Sequence, residues 1–190
     1  MEPITADLAV LGAGPGGYAA AFLAAEKGLK VVLVEQESRL GGVCLHRGCI
    51  PSKALLHATA LIREARTSGE LRGITFGTPA VNLEKLRAWK ASLLEKLAQG
   101  LSDLSRRRGI EVVHGRGRFE GSHALRVETA EGQRSITYQT AILAVGSKPA
   151  MPAAFALGDA RIMTSTEALA LEDVPGDLLI VGGGYIGMEL

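Results

Sequence analysis

Both cysteines of the chain fall in one short stretch, residues 40–56, which reads L-G-G-V-C-L-H-R-G-C-I-P-S-K-A-L-L. Four residues separate Cys44 from Cys49, and Lys53 stands four positions further on. A close thiol pair can be joined as a disulfide and reopened, which is a two-electron redox function. Joining requires Cα atoms within about 7 Å. A straight helix would already separate residues five apart by about 7.5 Å of rise. The spacing therefore predicts a distorted turn, which Gly48 and Pro51 can supply. If the segment from Cys49 is helical, Lys53 shares its face, where a cation and a helix start favour the reactive thiolate. Zinc fits poorly, because structural zinc sites pair C-x2-C units or combine cysteines with histidines. His46 could join, but no fourth ligand is near, and no metal is expected. The plainest alternative is a pair of buried small hydrophobes.

Positioning such a pair requires a scaffold, and the flanking sequence supplies one. Residues 7–11 (D-L-A-V-L) are nearly all apolar, as in a strand buried on both faces. Gly12-Ala13-Gly14-Pro15-Gly16-Gly17 follows, then a helical pattern over 18–27, with Gly28 as its C-terminal cap. Residues 30–34 form the next strand and end at Glu35. Glycines at 12, 14 and 17 between a strand and a helix allow close approach of a pyrophosphate, seated on helix N–H groups. Glu35 lies 18 residues beyond Gly17, near the spacing of about 20 at which a carboxylate takes a ribose hydroxyl. A single G-x-G-x-x-G is weak, but with strand, helix and acid in place it predicts dinucleotide binding. An ordinary glycine turn would explain one or two of these glycines, not three and the acid.

Beyond the cysteines a helix is expected over 54–66, then a loop containing Gly69, Gly73, Gly77 and Pro79. Asn82 is placed to cap a long helix reaching about Arg107. Its Leu83, Leu86, Trp89, Leu93, Leu97, Leu101 and Leu104 recur at helical spacing and read as core packing. From Ile110 the period changes. Residues 110–113, 124–129 and 135–138 read as antiparallel strands, with an E-G-Q turn between the last two. Residues 140–145 read as a further buried strand before Gly146-Ser147 and a Pro149/Pro152 connector. Thr164 and Glu167 have capping-box spacing for a short helix through Leu171. Residues 177–181 are expected as a strand opening into a second glycine turn, whose glycines at 182, 184 and 187 repeat the first set 170 residues on. Two dinucleotides are implied. One strand and one helical turn cannot bury the faces of a β-α-β unit, so a longer protein is expected.

Composition is that of an ordinary soluble chain, with 47% apolar and 22% charged residues among 190. A net charge of +1 gives no reason to expect nucleic acid or an anionic membrane as partner. The basic cluster Arg106-Arg107-Arg108 sits where it complements a helix dipole. No apolar run approaches the roughly 20 residues of a membrane span. Met1 and Glu2 lead straight toward the first strand, without the basic flank of a secretory leader. Two cysteines do not make a secreted disulfide scaffold, so the expected compartment is the cytoplasm.

The G-G-x-C-L-x-x-G-C-I-P-S-K-A-L-L pattern at 41–56 resembles the flavin disulfide reductase family, the class I pyridine nucleotide-disulfide oxidoreductases. The likeness covers essentially the whole chain: the turn at 12–17 with Glu35, the Gly115/Gly117 turn, the A-x-G-S stretch at 144–147, and the second turn. It implies an α/β fold: an FAD-binding Rossmann-like domain over 1–148 with an antiparallel β insertion, then the start of a second Rossmann-like, NAD-binding domain over 149–190. It implies FAD and NAD as cofactors. Carried over by position, Cys44 would be the interchange thiol that meets substrate, and Cys49 the flavin-facing thiol. Lys53 would sit beside the flavin, paired with Glu189. Contacts to the two dinucleotides would come from Gly12, Gly14, Pro15, Gly16, Gly17, Glu35, Gly41, Gly42, Val43, Cys44, Lys53, Gly115, Gly117, Ala144 and Gly146, and from Gly182, Gly184, Tyr185, Ile186, Gly187 and Glu189. Within the family the pattern is most similar to the branch that oxidises dihydrolipoyl groups. That branch implies lipoyl domains of 2-oxo acid dehydrogenase complexes or of the glycine cleavage system as partners, and a homodimer. Mercuric and glutathione-type reductases are the alternatives, as is a silent flavin-binding fragment. Val43 and Val145 replace frequent threonines, His46 replaces a common asparagine, and Tyr185 stands where that branch more often has an aliphatic residue. His46 does not read as the catalytic base, which must reach the substrate proton. In the family that base is a histidine of the partner subunit's C-terminal domain.

Overall fold

The computed structural model describes residues 3–190, side chains at 68–70 excepted. Met1 and Glu2, over which no leader is expected, lie outside the described residues. The chain divides into two compact units: Met1–Leu45 with Glu95–Lys148, and His46–Leu94 with Pro149–Leu190. The division after Lys148 falls at the proline connector, whereas residues 46–94, expected within 1–148, group with the C-terminal segment.

The first unit is built on a six-stranded sheet. Its strands are β1 (Ile4–Leu11), β2 (Val31–Glu35), β3 (Glu111–His114), β4 (Arg116–Gly121), β5 (Ala124–Thr129) and β6 (Gly132–Leu143), in the order β3-β2-β1-β6-β5-β4. Strand β1 lies between β2 and β6 and runs parallel to both. Alternate residues of β1 and β2 enter two different cores. Leu8, Val10, Val31 and Leu33 pack with Ala21 and Ala24 of helix α1 (Pro15–Glu26). Ala9, Leu11, Val32 and Val34 pack with Leu125, Val127 and Ile136. A strand covered on both faces has no polar side, which is why residues 8–11 and 31–34 read as unbroken apolar runs. Each fully buried Val or Leu contributes about 1.5–3 kcal/mol.

The expectations about the strands need correction. Strand β3 is parallel to β2, with Val32 opposite Glu111 and Glu35 opposite His114, rather than antiparallel. The long connection carrying helix α4 (Leu83–Arg107) permits this, since parallel pairing needs a crossover. Segments 135–138 and 140–145 are one strand, β6. It pairs antiparallel with β5 in its first half and parallel with β1 from Ile136 to Leu143. The ladder to β1 continues on both sides of Gln139, with Tyr138 opposite Ala6 and Thr140 opposite Leu8, and the Gln139 amide donates to Asp7 Oδ1 at 3.1 Å. Strand β4 was not foreseen. Its R-G-R-F-E-G sequence has no apolar alternation, and cross-strand pairs Arg118–Glu128 (3.5 Å) and Arg126–Glu120 (3.1 Å) bridge it to β5 instead. The β5–β6 turn falls at residues 130–131, just ahead of the Gly132 and Gln133 expected in it.

Helix α4 starts as expected, with Asn82 Oδ1 accepting the Lys85 N–H at 2.9 Å. The reading of its leucine stripe as core is only partly right. Leu101 packs against the α1-side core, while Trp89, Leu97 and Leu104 are exposed. The small residues Ala98 and Ser105 are buried in their place, so the inward face is offset from the bulky one.

In the second unit, helix α3 (Cys49–Leu71) runs past Arg66 and through Gly69, so the loop begins at Arg72. Helix α5 (Ser165–Ala170) carries the expected capping box: Thr164 Oγ1 accepts from Thr166 N–H at 3.2 Å, and Glu167 Oε2 accepts from Thr164 N–H at 2.8 Å. Its other end was not foreseen. Lys90, buried, donates to the carbonyls of Leu169 and Ala170, and Arg87 donates to those of Leu171 (3.1 Å) and Glu172 (2.7 Å). Cations thus satisfy helix-end carbonyls that have no partner within α5. Burial lowers the Lys90 pKa, and neighbouring Arg87 adds to the shift. Residues 177–181, expected as a strand, pair with no neighbour among the described residues, and Leu179 is 88% exposed. Extended backbone without a ladder partner is not a strand. No helix among the described residues is long and apolar enough to cross a membrane.

Candidate functional site

The first glycine turn is shaped by close approach. Gly12 has φ +92°, and a Cβ there would lie 2.2 Å from the Ala144 carbonyl oxygen. A Cβ on Gly17 would lie 1.7 Å from the Gly12 oxygen. Neither position has room for any other residue. Helix α1 then begins at an extended Gly14 with Pro15 in its first turn, no side-chain cap and no acid in that turn. An uncapped helix start reached by glycine backbone suits a pyrophosphate. Ala144 closes the turn from the end of β6: its N–H donates to Leu11 O at 2.7 Å, and its Cβ lies beside Gly16 and Gly17.

Glu35 is almost fully buried at the end of β2. Its Oε2 accepts the Ala13 N–H at 2.7 Å and its Oε1 accepts the Glu37 N–H at 2.9 Å. The carboxylate thus ties the glycine turn to the next strand, and each oxygen keeps a lone pair for a further donor such as a ribose hydroxyl. Sequence spacing pointed to the acid but not to this backbone role. Of Gly115 and Gly117, both expected at the cofactor, Gly115 is also required by strand packing, whereas Gly117 has room for a further carbon. A Cβ on Gly115 would meet the Glu128 oxygen at 2.4 Å, and one on Gly117 would touch Leu11, Leu125 and Val34. Gly146 has open space around it.

The thiol-bearing segment begins directly on this turn. Gly41 N–H donates to Ala13 O at 2.8 Å, and Gly42 (φ +60°) comes so near that its Cβ would be 2.7 Å from Gly14 Cα. Helix α2 (Gly42–Arg47) follows, with Leu45 buried, Cys44 half-buried and Val43 exposed. Gly48 interrupts the helical path, and exposed Cys49 opens α3, so the expected distortion between the cysteines is a one-residue break. Cys44 belongs to the first unit and Cys49 to the second. Cys44 lies on α2 and Cys49 at the start of α3.

In the second unit, α3 and helix α6 (Tyr185–Glu189) bring four side chains together. Lys53 Nζ donates to Glu189 Oε1 in a salt bridge, and lies 3.3 Å from the Tyr185 hydroxyl and 4.9 Å from its ring centroid. Ser52 Oγ donates to the other carboxylate oxygen, Oε2, at 2.5 Å. The hydrogen bond from Lys53, then that from Ser52, holds the Glu189 carboxyl below the usual range; the bond to Glu189 raises the Lys53 ammonium above its own. The glycine turn that delivers Glu189 has the first turn's shape. Gly182 has φ +116°, Gly184 is extended before the helix, and a Cβ on Gly187 would lie 2.0 Å from the Gly182 oxygen. Ile186 is exposed. The expected Lys53–Glu189 pair is therefore formed, and Ser52 is the partner that pattern reading passed over.

A sheet whose β1, β2, β3 and β6 run parallel, with a glycine turn leading from β1 into α1 and an acid ending β2, defines a Rossmann-like dinucleotide-binding domain with an antiparallel β4–β6 insertion. Residues 6–190 match the family described as pyridine nucleotide-disulphide oxidoreductase, and the chain belongs to that family. It is 46% identical over 189 residues to the dihydrolipoyl dehydrogenase of Vibrio cholerae serotype O1 and 45% identical over 190 residues to that of Haemophilus influenzae, in each case over 100% of this chain. The dihydrolipoyl dehydrogenase of Staphylococcus aureus is 44% identical over 99% of the chain. The chain spans about 40% of the length of these relatives.

Proposed function

We propose that this chain is the N-terminal part of a flavin-dependent dihydrolipoyl dehydrogenase, which oxidises protein-bound dihydrolipoyl groups and delivers two electrons to NAD. The observation that carries the reading is the seating of Gly41–Gly42 on Ala13–Gly14, which starts the thiol segment at the dinucleotide turn. The first turn, α1 start and Glu35 would hold FAD: uncapped helix N–H groups suit its pyrophosphate, the carboxylate a ribose hydroxyl. The second turn would take the nicotinamide dinucleotide. The flavin supplies two-electron chemistry between a thiol pair and a nicotinamide.

On the protein side, the Cys44–Cys49 disulfide accepts two electrons from the substrate dithiol by exchange, which closes the substrate disulfide and leaves Cys44 and Cys49 as thiols. Cys44 meets the substrate. Cys49 opens α3, with Lys53 one turn on along the same helix. Glu189 keeps the Lys53 ammonium in place. Lipoyl domains of 2-oxo acid dehydrogenase complexes or of the glycine cleavage system are the partners this chemistry fits, with the whole protein a homodimer.

The test is absorbance of the reduced, flavin-loaded whole protein. Cys49→Ser is expected to abolish its long-wavelength charge-transfer band, and a band that survives refutes the assignment of the two thiols. A second reading concerns the 190 residues alone: with 177–181 unpaired and Tyr185 and Ile186 exposed, they favour flavin binding without turnover. Lipoamide-dependent NADH oxidation by this chain would exclude that reading.

A further inference from the structure

Lys53 and Glu189 are assigned by their place in the pattern, but Ser52, the other polar residue of the I-P-S-K run, is not. We infer that Ser52 is a positioning residue that orients the Glu189 carboxylate, and through it the Lys53 ammonium, in the thiol–flavin reaction. The inference rests on the proposed redox function.

Ser52 is a buried polar side chain, 8% exposed, behind the fully buried Pro51. Its N–H donates to Gly48 O at 3.0 Å, so its backbone is fixed in the first turn of α3. From there its hydroxyl donates to Glu189 Oε2, while Lys53 takes Oε1. Adjacent helical residues project about 100° apart, so the two donors reach the carboxylate from different directions. Lysine alone could not fix that carboxylate. Its ammonium is a point charge on a flexible four-carbon stem, and the group would turn about it. A second, short and buried donor on the other oxygen sets the carboxylate plane and hence where Lys53 Nζ rests. Tyr185 adds a weaker restraint, with its hydroxyl 3.3 Å from Nζ.

The experiment uses the flavin-loaded whole protein with 13C-labelled glutamate, the Glu189 signal being identified by its loss in Glu189→Gln. In Ser52→Ala the Glu189 titration is expected to move upward, toward the ordinary carboxylate range. Ser52→Thr, which keeps the hydroxyl, is expected to restore it. Ser52→Cys carries the same expectation as Ser52→Ala and serves if alanine is poorly folded. The pH dependence of the charge-transfer absorbance is read on the same samples and is expected to shift in Ser52→Ala and return in Ser52→Thr. An unchanged Glu189 titration overturns the inference, as does a shifted titration beside an unchanged absorbance profile. The failures are separable. A wild-type protein with no charge-transfer band sinks the redox reading, whatever Glu189 does. A normal band with an immobile Glu189 titration sinks only the role of Ser52.

Discussion

The two glycine turns have nearly the same backbone and very different surroundings. In each, a positive-φ glycine (Gly12, Gly182) is followed by an extended glycine at the helix start (Gly14, Gly184) and a third (Gly17, Gly187) against the first one's carbonyl. In each, the N–H four residues on donates to that helix-start glycine, from Tyr18 at 2.9 Å and Met188 at 3.0 Å. The first turn is embedded: Ala144, Gly42 and the Glu35 carboxylate press on it. Around Gly182, Gly183 and Gly184 a Cβ would meet nothing. Local sequence is therefore enough to shape the turn, whereas its rigidity comes from the strands and loops that pack on it. The acids differ as well. Glu35 is held by backbone N–H groups, which cannot move without the fold, and Glu189 by two side chains.

The sharpest break between the turns is expected from alanine at the positive-φ glycine. In the 190-residue chain, Gly12→Ala sets a methyl against the Ala144 backbone and should cost more than about 3 kcal/mol by urea unfolding. Gly182→Ala incurs backbone strain alone, about 1–3 kcal/mol at most. Equal losses would mean that the embedding of the first turn does not matter. Next in size, Glu35→Ala leaves two backbone donors without their acceptor, at about 1–3 kcal/mol, and should weaken FAD binding measured by flavin fluorescence.

The smallest effect on stability belongs to Lys53→Met, which should lower the unfolding midpoint only slightly, the pair being solvent-exposed, and move the Glu189 titration upward. The signs follow from the two shifts. A lowered carboxyl contributes stability above its unfolded pKa of about 4.3 and loses it as pH falls through the folded value. A raised ammonium contributes below about 10.4 and loses it as pH rises through its folded value. Nuclear magnetic resonance titration should accordingly find the pair intact from the acid side of ordinary carboxylates to the alkaline side of ordinary lysines.

What was readable in the sequence follows the same divide. Turn glycines, the Asn82 cap, the Thr164–Glu167 box and the apolar strands act within a few residues, and each can be read from its neighbours. Strand direction at β3 and the fusion of two segments into β6 depend on partners up to 132 residues away, as with Ile4 opposite Ile136, and the pairing of β4 depends on cross-strand charges, none of which a local period encodes. The α4 stripe misled because Trp89, Leu97 and Leu104 have helical spacing, whereas the buried line runs through Ala98, Leu101 and Ser105. Among the site residues, Lys53 and Glu189 were visible by family pattern. The grip of Ser52 on Glu189, and of Lys90 and Arg87 on the end of α5, appears only once the chain is folded.

Strand β6 has a consequence of its own. Its residues Ile136 and Thr137 are held on both edges, by β1 on one side and β5 on the other. The antiparallel hairpins therefore cannot peel off without loosening the strand whose end closes the nucleotide turn through Ala144. Amide protons at 136 and 137 should be among the last in the sheet to exchange with deuterated water, and the meander and the cradle should open as a single cooperative body.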